Sequence, residues 1–170
     1  MQANTVGCLG EGKVKVYARL IVAIALCQMA GAVGSLFTAP AIPTWYAGLR
    51  KPDITPPNWV FAPVWTTLYI LMGASLFLVW NAGLDKGPVR RSIILFGIQL
   101  LMNAIWSYLF FGLRSPLLGL VWIMALWVSI ALTIASFSKV SKAAASLLIP
   151  YLIWVTFASY LNYRILILNP

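Results

Sequence analysis

The chain has 170 residues, 62% of them hydrophobic and 9% charged, with 12 basic side chains, 3 acidic ones and a net charge of +9. A soluble domain of this length carries about 25% charged residues, so the polar surface is too small for a water-soluble fold and lipid must be the main solvent. Histidine is absent and Glu11, Asp53 and Asp85 all lie outside the apolar runs, which excludes a His/carboxylate metal site, a Ser-His-Asp triad and an intramembrane carboxylate relay.

Residues 1–16 are polar and Gly-containing and read as a flexible tail carrying Lys13 and Lys15. A first apolar run over about 17–38 follows, long enough to cross a hydrocarbon core of about 30 Å. A signal peptide with a cleavage-like Ala39-Pro40-Ala41 competes with this reading. The run is too long for an h-region and proline sits inside the supposed site, which favours a retained helix. Ala23, Cys27, Gly31 and Ser35 recur every four residues there, a small-residue stripe that serves either a dimer face or packing within one bundle. Neither Cys27 nor Cys8 in the tail has a partner at metal-ligand spacing, and a disulfide framework is not expected.

The connection 39–60 is rich in Trp and Pro. Prolines 40, 43, 52, 56 and 57 forbid one continuous helix through it. Four further spans are predicted at about 61–81, 92–112, 117–138 and 144–167. The fold class is therefore an all-α integral membrane protein, a bundle of five transmembrane helices forming one domain over 17–170. No internal repeat is visible, and five spans disfavour two equal inverted halves. Lys13, Lys15, Arg19, Lys86, Arg90, Arg91, Lys139 and Lys142 share one side, against Arg50, Lys51, Arg114 and Arg164 on the other. The positive-inside rule then places the N-terminus inside and the 39–60 loop outside in a cytoplasmic-type membrane. These charges lie between apolar runs, so they are topology signals and not a nucleic-acid surface.

Helical periodicity gathers aromatic and polar residues on particular faces. Trp65, Tyr69, Met72 and Leu76 share a face of the second span. Gln99, Asn103 and Ser107 form a polar stripe on the third, flanked by Trp106 and Phe110. Trp154, Ala158, Leu161 and Asn162 share a face of the fifth, with Tyr151 above. Amides are costly in lipid, so the stripe should face the bundle interior. Together these faces predict an uncharged, aromatic-walled pocket for a flat apolar ligand, over which Trp45, Tyr46 and Trp59 could close. Each has an alternative. Trp45, Trp59, Trp80 and Tyr108 also suit an interfacial belt, and Trp65, Trp106 and Trp154 also suit core packing. Gln99 and Asn103 could serve only a neighbouring helix.

Several ordered motifs carry a family resemblance. They are Trp45-Tyr46-x-x-Leu49-x-Lys51-Pro52-x-x-x-Pro56-Pro57-x-Trp59, Ala62-Pro63-Val64-Trp65-x-x-Leu68-Tyr69-x-x-Met72-Gly73, Gln99-Leu100-x-x-Asn103-x-x-Trp106, Phe110-Phe111-Gly112, and Pro150-Tyr151-Leu152-x-Trp154-x-x-Phe157-Ala158-x-x-Leu161-Asn162-Tyr163. This pattern resembles the translocator protein family, also called the tryptophan-rich sensory protein (TspO) or peripheral benzodiazepine receptor family. The resemblance covers nearly everything after the start of the first span.

It implies a five-helix bundle, often a homodimer, whose cavity opens toward the long loop. It implies tetrapyrrole ligands such as protoporphyrin IX or haem, with sterols and synthetic drugs, and roles in transport, stress-linked regulation or light-dependent porphyrin degradation. Pocket positions matching the family are Tyr46, Trp65, Asn103, Phe110, Trp154, Ala158 and Leu161. Tyr69, Gln99 and Trp106 join them from the helical faces. Trp45, Pro52, Pro56, Pro57 and Trp59 form the expected lid. For photochemistry the matching indoles are Trp65 and Trp154. No cofactor or metal is required, and the expected partners are the bilayer and a hydrophobic small molecule. A purely structural or partner-binding role is a further alternative. Three departures stand out: Asp53-Ile54-Thr55 in the loop, Ile167 where some members carry a sterol-associated Arg, and Met124 where the family has an acid.

Overall fold

The computed structural model describes residues 5–170; residues 1–4, and the side chains of residues 5–13 and Lys15, fall outside what is described. The tail and its Lys13 and Lys15 signals therefore lie partly outside the described residues. Helix α1 (Thr5–Ala41) begins well before the expected start near residue 17. No proline interrupts residues 5–39, so nothing in the backbone forces a break where the sequence turns polar. The helix also runs through Pro40 and stops one residue later; the other loop prolines, at 43, 52, 56 and 57, stand outside helices.

Helix α2 (Asn58–Trp80) starts after the extended Pro57. Helix α3 (Gly87–Ser107) starts with Pro88 in its first turn, where a missing N–H costs nothing, and continues as a π-helical turn over Tyr108–Gly112. Helix α4 (Pro116–Ser138) has Pro116 at its start, and the Ser115 hydroxyl accepts from Leu118 N at 3.3 Å. The fifth span is two helices, α5 (Lys142–Leu147) and α6 (Ile149–Leu168), divided at Leu148 just before Pro150. Five membrane-length segments result: Val16–Ala41, Asn58–Trp80, Gly87–Gly112, Pro116–Ser138 and Lys142–Leu168. The protein is a multi-pass all-α bundle.

Around the bundle α1 packs on α2 and α3, α2 on α5, and α4 on α3, α5 and α6, so the spans are ordered one, two, five, four, three. The small-residue stripe is used within the chain. Ala23 and Cys27 are fully buried in the core, and a Cβ on Gly31 would collide with the Tyr69 ring. Opposite, a Cβ on Gly73 would stand 2.5 Å from the Ile24 Cα. Gly73 lets the two backbones touch, and Gly31 makes room for the Tyr69 ring.

The core is concentrated in the half of the bundle near the α2–α3 turn. Met72, Val79, Phe96, Ile130 and Phe137 are buried there, with the Phe96 and Phe137 rings stacked at 5.7 Å. Two polar contacts tie helices together in this half: Ser75 Oγ donates to Ala144 O at 2.7 Å, and the Ser92 and Ser136 hydroxyls meet at 2.7 Å. The half nearer the 42–57 loop is hollow.

Candidate functional site

The hollow is a cavity of about 460 Å³, within the range of about 300–1,000 Å³ common for small-molecule sites. Its floor is a polar triad from three spans. Tyr69 Oη donates to Asn103 Oδ1 at 2.6 Å, and Asn103 Nδ2 donates to Tyr151 Oη at 3.0 Å. The two bonds fix which way the amide points. Above the floor rise aromatic walls. The Trp65 ring lies 5.6 Å from Tyr69 and edge-on to Tyr151 at 6.2 Å. Trp106 stacks on Phe110 at 5.3 Å and Trp154 meets Phe61 edge-on at 6.0 Å. No lining residue carries a formal charge.

The π-helical turn shapes one wall. Leu113 N reaches back five residues to Tyr108 O at 2.8 Å. The extra residue widens the helix, and the adjacent Phe110 and Phe111, which a regular helix would separate by about 100°, both reach the cavity. Arg114 then takes a left-handed conformation, φ 53°, which turns the chain into α4.

The loop supplies Tyr46, which is buried against Phe110 and Ile165. The turn that carries it, Tyr46–Gly48, is held by Lys51, whose Nζ donates to Tyr46 O at 2.7 Å and to Leu49 O at 3.2 Å. The same ammonium lies 4.7 Å from the Tyr46 ring centroid. Burial pushes the Tyr46 phenol up from its ordinary range, so it is a neutral wall at physiological pH.

Of the residues expected in the pocket, Tyr46, Trp65, Tyr69, Asn103, Trp106, Phe110, Trp154, Ala158 and Leu161 all line this one cavity. Gln99 does not. It lies one turn below Asn103, 1% exposed, with both amide atoms unpaired among the described residues. Sharing a face with Asn103 does not give it the same depth, and the triad lies between its level and the space above. The expected lid residues also stand off the lining. Trp45 packs on Phe110 at 5.5 Å behind the wall, Pro52 is buried in the loop, Pro56 is half-buried, Pro57 is exposed, and Trp59 is 74% exposed.

Sequence reasoning missed the α1 wall: Gln28, Ala32, Gly34, Ser35 and Thr38 all line the cavity, as does Phe111. The small-residue stripe was the available signal for α1, because small side chains leave space as readily as they admit a helix. The exposed lining residues Ala32, Ser35 and Ala39 lie on α1, and Asn58, Ala62 and Thr66 on α2. The mouth is thus lateral, between the loop-proximal ends of these helices. Its lower edge is tied where Gln28 Nε2 donates to Thr66 O at 3.1 Å.

The model of the TspO/MBR family matches residues 23–168, which include every wall of this cavity. The chain belongs to the TspO/MBR family. It is 50% identical over 151 residues to the tryptophan-rich protein TspO of Chlorobaculum tepidum, covering 89% of this chain and 96% of that one. It is 40% identical over 134 residues to the translocator protein of Homo sapiens, covering 77% and 78%. It is 33% identical over 153 residues to the tryptophan-rich sensory protein of Cereibacter sphaeroides, covering 90% and 92%. The three departures from the TspO/MBR pattern spare the cavity. Asp53 and Ile54 are exposed on the loop, Thr55 bonds back to Pro52 O at 2.7 Å, and Met124 and Ile167 are exposed on the outer faces of α4 and α6.

Proposed function

We propose that this protein is a membrane receptor of the transporter-like kind that binds porphyrins, protoporphyrin IX or haem among them, and similar flat hydrophobic molecules in the lateral cavity, in a regulatory or stress response. The observation that carries this reading is a 460 Å³ space with aromatic walls, no formal charge and a neutral polar floor. Flat conjugated rings gain from stacking and edge contacts on such walls. Protoporphyrin IX should quench tryptophan fluorescence at micromolar concentrations, at or below about −8 kcal/mol of binding. The double variant Trp65→Phe, Trp154→Phe should weaken that response about tenfold; undiminished affinity in it would sink this pocket.

A second reading, light-dependent porphyrin breakdown, is favoured by the placement of both Trp65 and Trp154 on the lining. It requires that illuminated protein make more product than detergent with free tryptophan. The N-terminus is assigned to the inside, because Arg19, Lys86, Arg90, Arg91, Lys139 and Lys142 gather at the end of the bundle opposite the loop. Protease cleavage of the 42–57 loop from the outer side of intact cells or vesicles would test this.

A further inference from the structure

We propose that Asn169 is a latch that pins the loop over the cavity and so sets how fast ligand enters and leaves. The cavity side of this inference rests on the ligand-binding reading above; the latch itself does not.

Asn169 follows directly on α6. Its side-chain amide pairs with both backbone groups of one loop residue, 119 positions away in sequence. Arg50 N donates to Asn169 Oδ1 at 3.0 Å, and Asn169 Nδ2 donates to Arg50 O at 2.9 Å. The other hydrogen of Nδ2 goes to Ile165 O at 2.8 Å, which also accepts from Asn169 N at 3.1 Å. Both donor hydrogens and the acceptor of the amide are therefore used. Aspartate has the acceptor without the donors, and serine is a single short hydroxyl.

Both ends of the clasp abut the cavity. On the helix side it closes on the carbonyl of Ile165, a buried lining residue packed with Tyr46 and Phe110. On the loop side it holds the residue just before Lys51, whose ammonium ties the Tyr46 turn. The clasp, Lys51 and Tyr46 form one continuous run of contacts from the end of α6 to the cavity wall. Among the described residues, the Arg50 side chain makes no hydrogen bond; only its backbone is held.

The test is amide hydrogen exchange over residues 46–55 in the full chain in lipid nanodiscs, together with the dissociation rate of protoporphyrin IX. Asn169→Ala should speed exchange in that segment about tenfold, the equivalent of one net charge-free hydrogen bond or slightly more, and leave α3 and α4 unchanged. Protoporphyrin IX should dissociate several-fold faster. Asn169→Asp, which keeps the acceptor for Arg50 N, should fall between, and it serves if the alanine variant does not fold. Arg50→Ala should keep loop exchange at its original rate. Unchanged exchange in Asn169→Ala overturns the latch. Equal loosening by Arg50→Ala also overturns it, by placing the hold in the guanidinium. A looser loop with unchanged porphyrin dissociation overturns its control of the cavity. If the unsubstituted protein binds no protoporphyrin IX, the ligand reading fails, and the exchange arm still decides the latch.

Discussion

The packed and hollow halves of the bundle are built from the same residue types, and α1 shows why they differ. Near the α2–α3 turn its small residues Ala23 and Cys27 face a helix that is itself small at Gly73, and the backbones close up. Toward the loop its small residues face Trp65 and Tyr69. Gly31 admits the edge of the Tyr69 ring, whose hydroxyl is held on Asn103 by a 2.6 Å bond, and Trp65 is turned against Tyr151. Small against small makes a core. Small against a large ring that is anchored elsewhere makes a cavity, and a polar anchor keeps it open.

The comparison breaks most easily at Phe96, wholly inside the packed half. Phe96→Ala should cost about 3–5 kcal/mol of stability and lower the thermal midpoint, while the folded fraction keeps its porphyrin affinity. Equal loss of affinity would show that the halves are not separable. Asn103 sits on the boundary. Asn103→Leu strands the Tyr69 and Tyr151 hydroxyls, at about 1–3 kcal/mol for each buried group left unpaired, and frees Tyr69 to fall into the space. Both stability and ligand affinity should drop; a variant that loses only stability would show that this anchor does not keep the cavity open. In the hollow half, Ser35→Phe lies on the exposed rim of the mouth. It should change stability by no more than about 0.5 kcal/mol and yet weaken protoporphyrin IX binding by obstruction. Binding at full strength would place the entrance elsewhere.

The smallest effect is alkaline. Burial raises the Tyr46 pKa in the folded state, so its contribution is complete below the unfolded value of about 10 and is lost as pH rises through the higher folded value. The thermal midpoint should therefore show no step from this residue between pH 7 and 9. Tyr46→Phe should reduce the decline above about pH 10; an unaltered decline would mean the loop is not held by this ring.

The spans and most of the pocket were legible in the sequence because a period of 3.6 is enough to put Trp65 with Tyr69, or Trp154 with Ala158 and Leu161, on one face. Depth was not legible. Gln99 and Asn103 share a face, and only the partners supplied by α2 and α6 decide which of them reaches the cavity. The small stripe on α1 was visible but ambiguous, since its meaning depends on the residue across the seam. Phe111 stood in a family motif but carried no periodic signal: a π-helical turn changes the very period on which helical faces depend. The family resemblance located Tyr46 in the pocket, while the loop's own chemistry, proline and tryptophan, pointed to lid residues that stand off the lining.

The lateral mouth between α1 and α2 has a consequence for how any ligand of this protein would be ranked. A site that opens to the side of the bundle, at the level of Ala62 and Thr66, is filled from molecules already dissolved in the bilayer. The concentration it samples is the aqueous one multiplied by a partition coefficient. Two ligands that pass the mouth equally readily would then differ in their rate of entry by the ratio of their solubilities in lipid. The apparent affinity of either would shift with the ratio of lipid to protein in the assay.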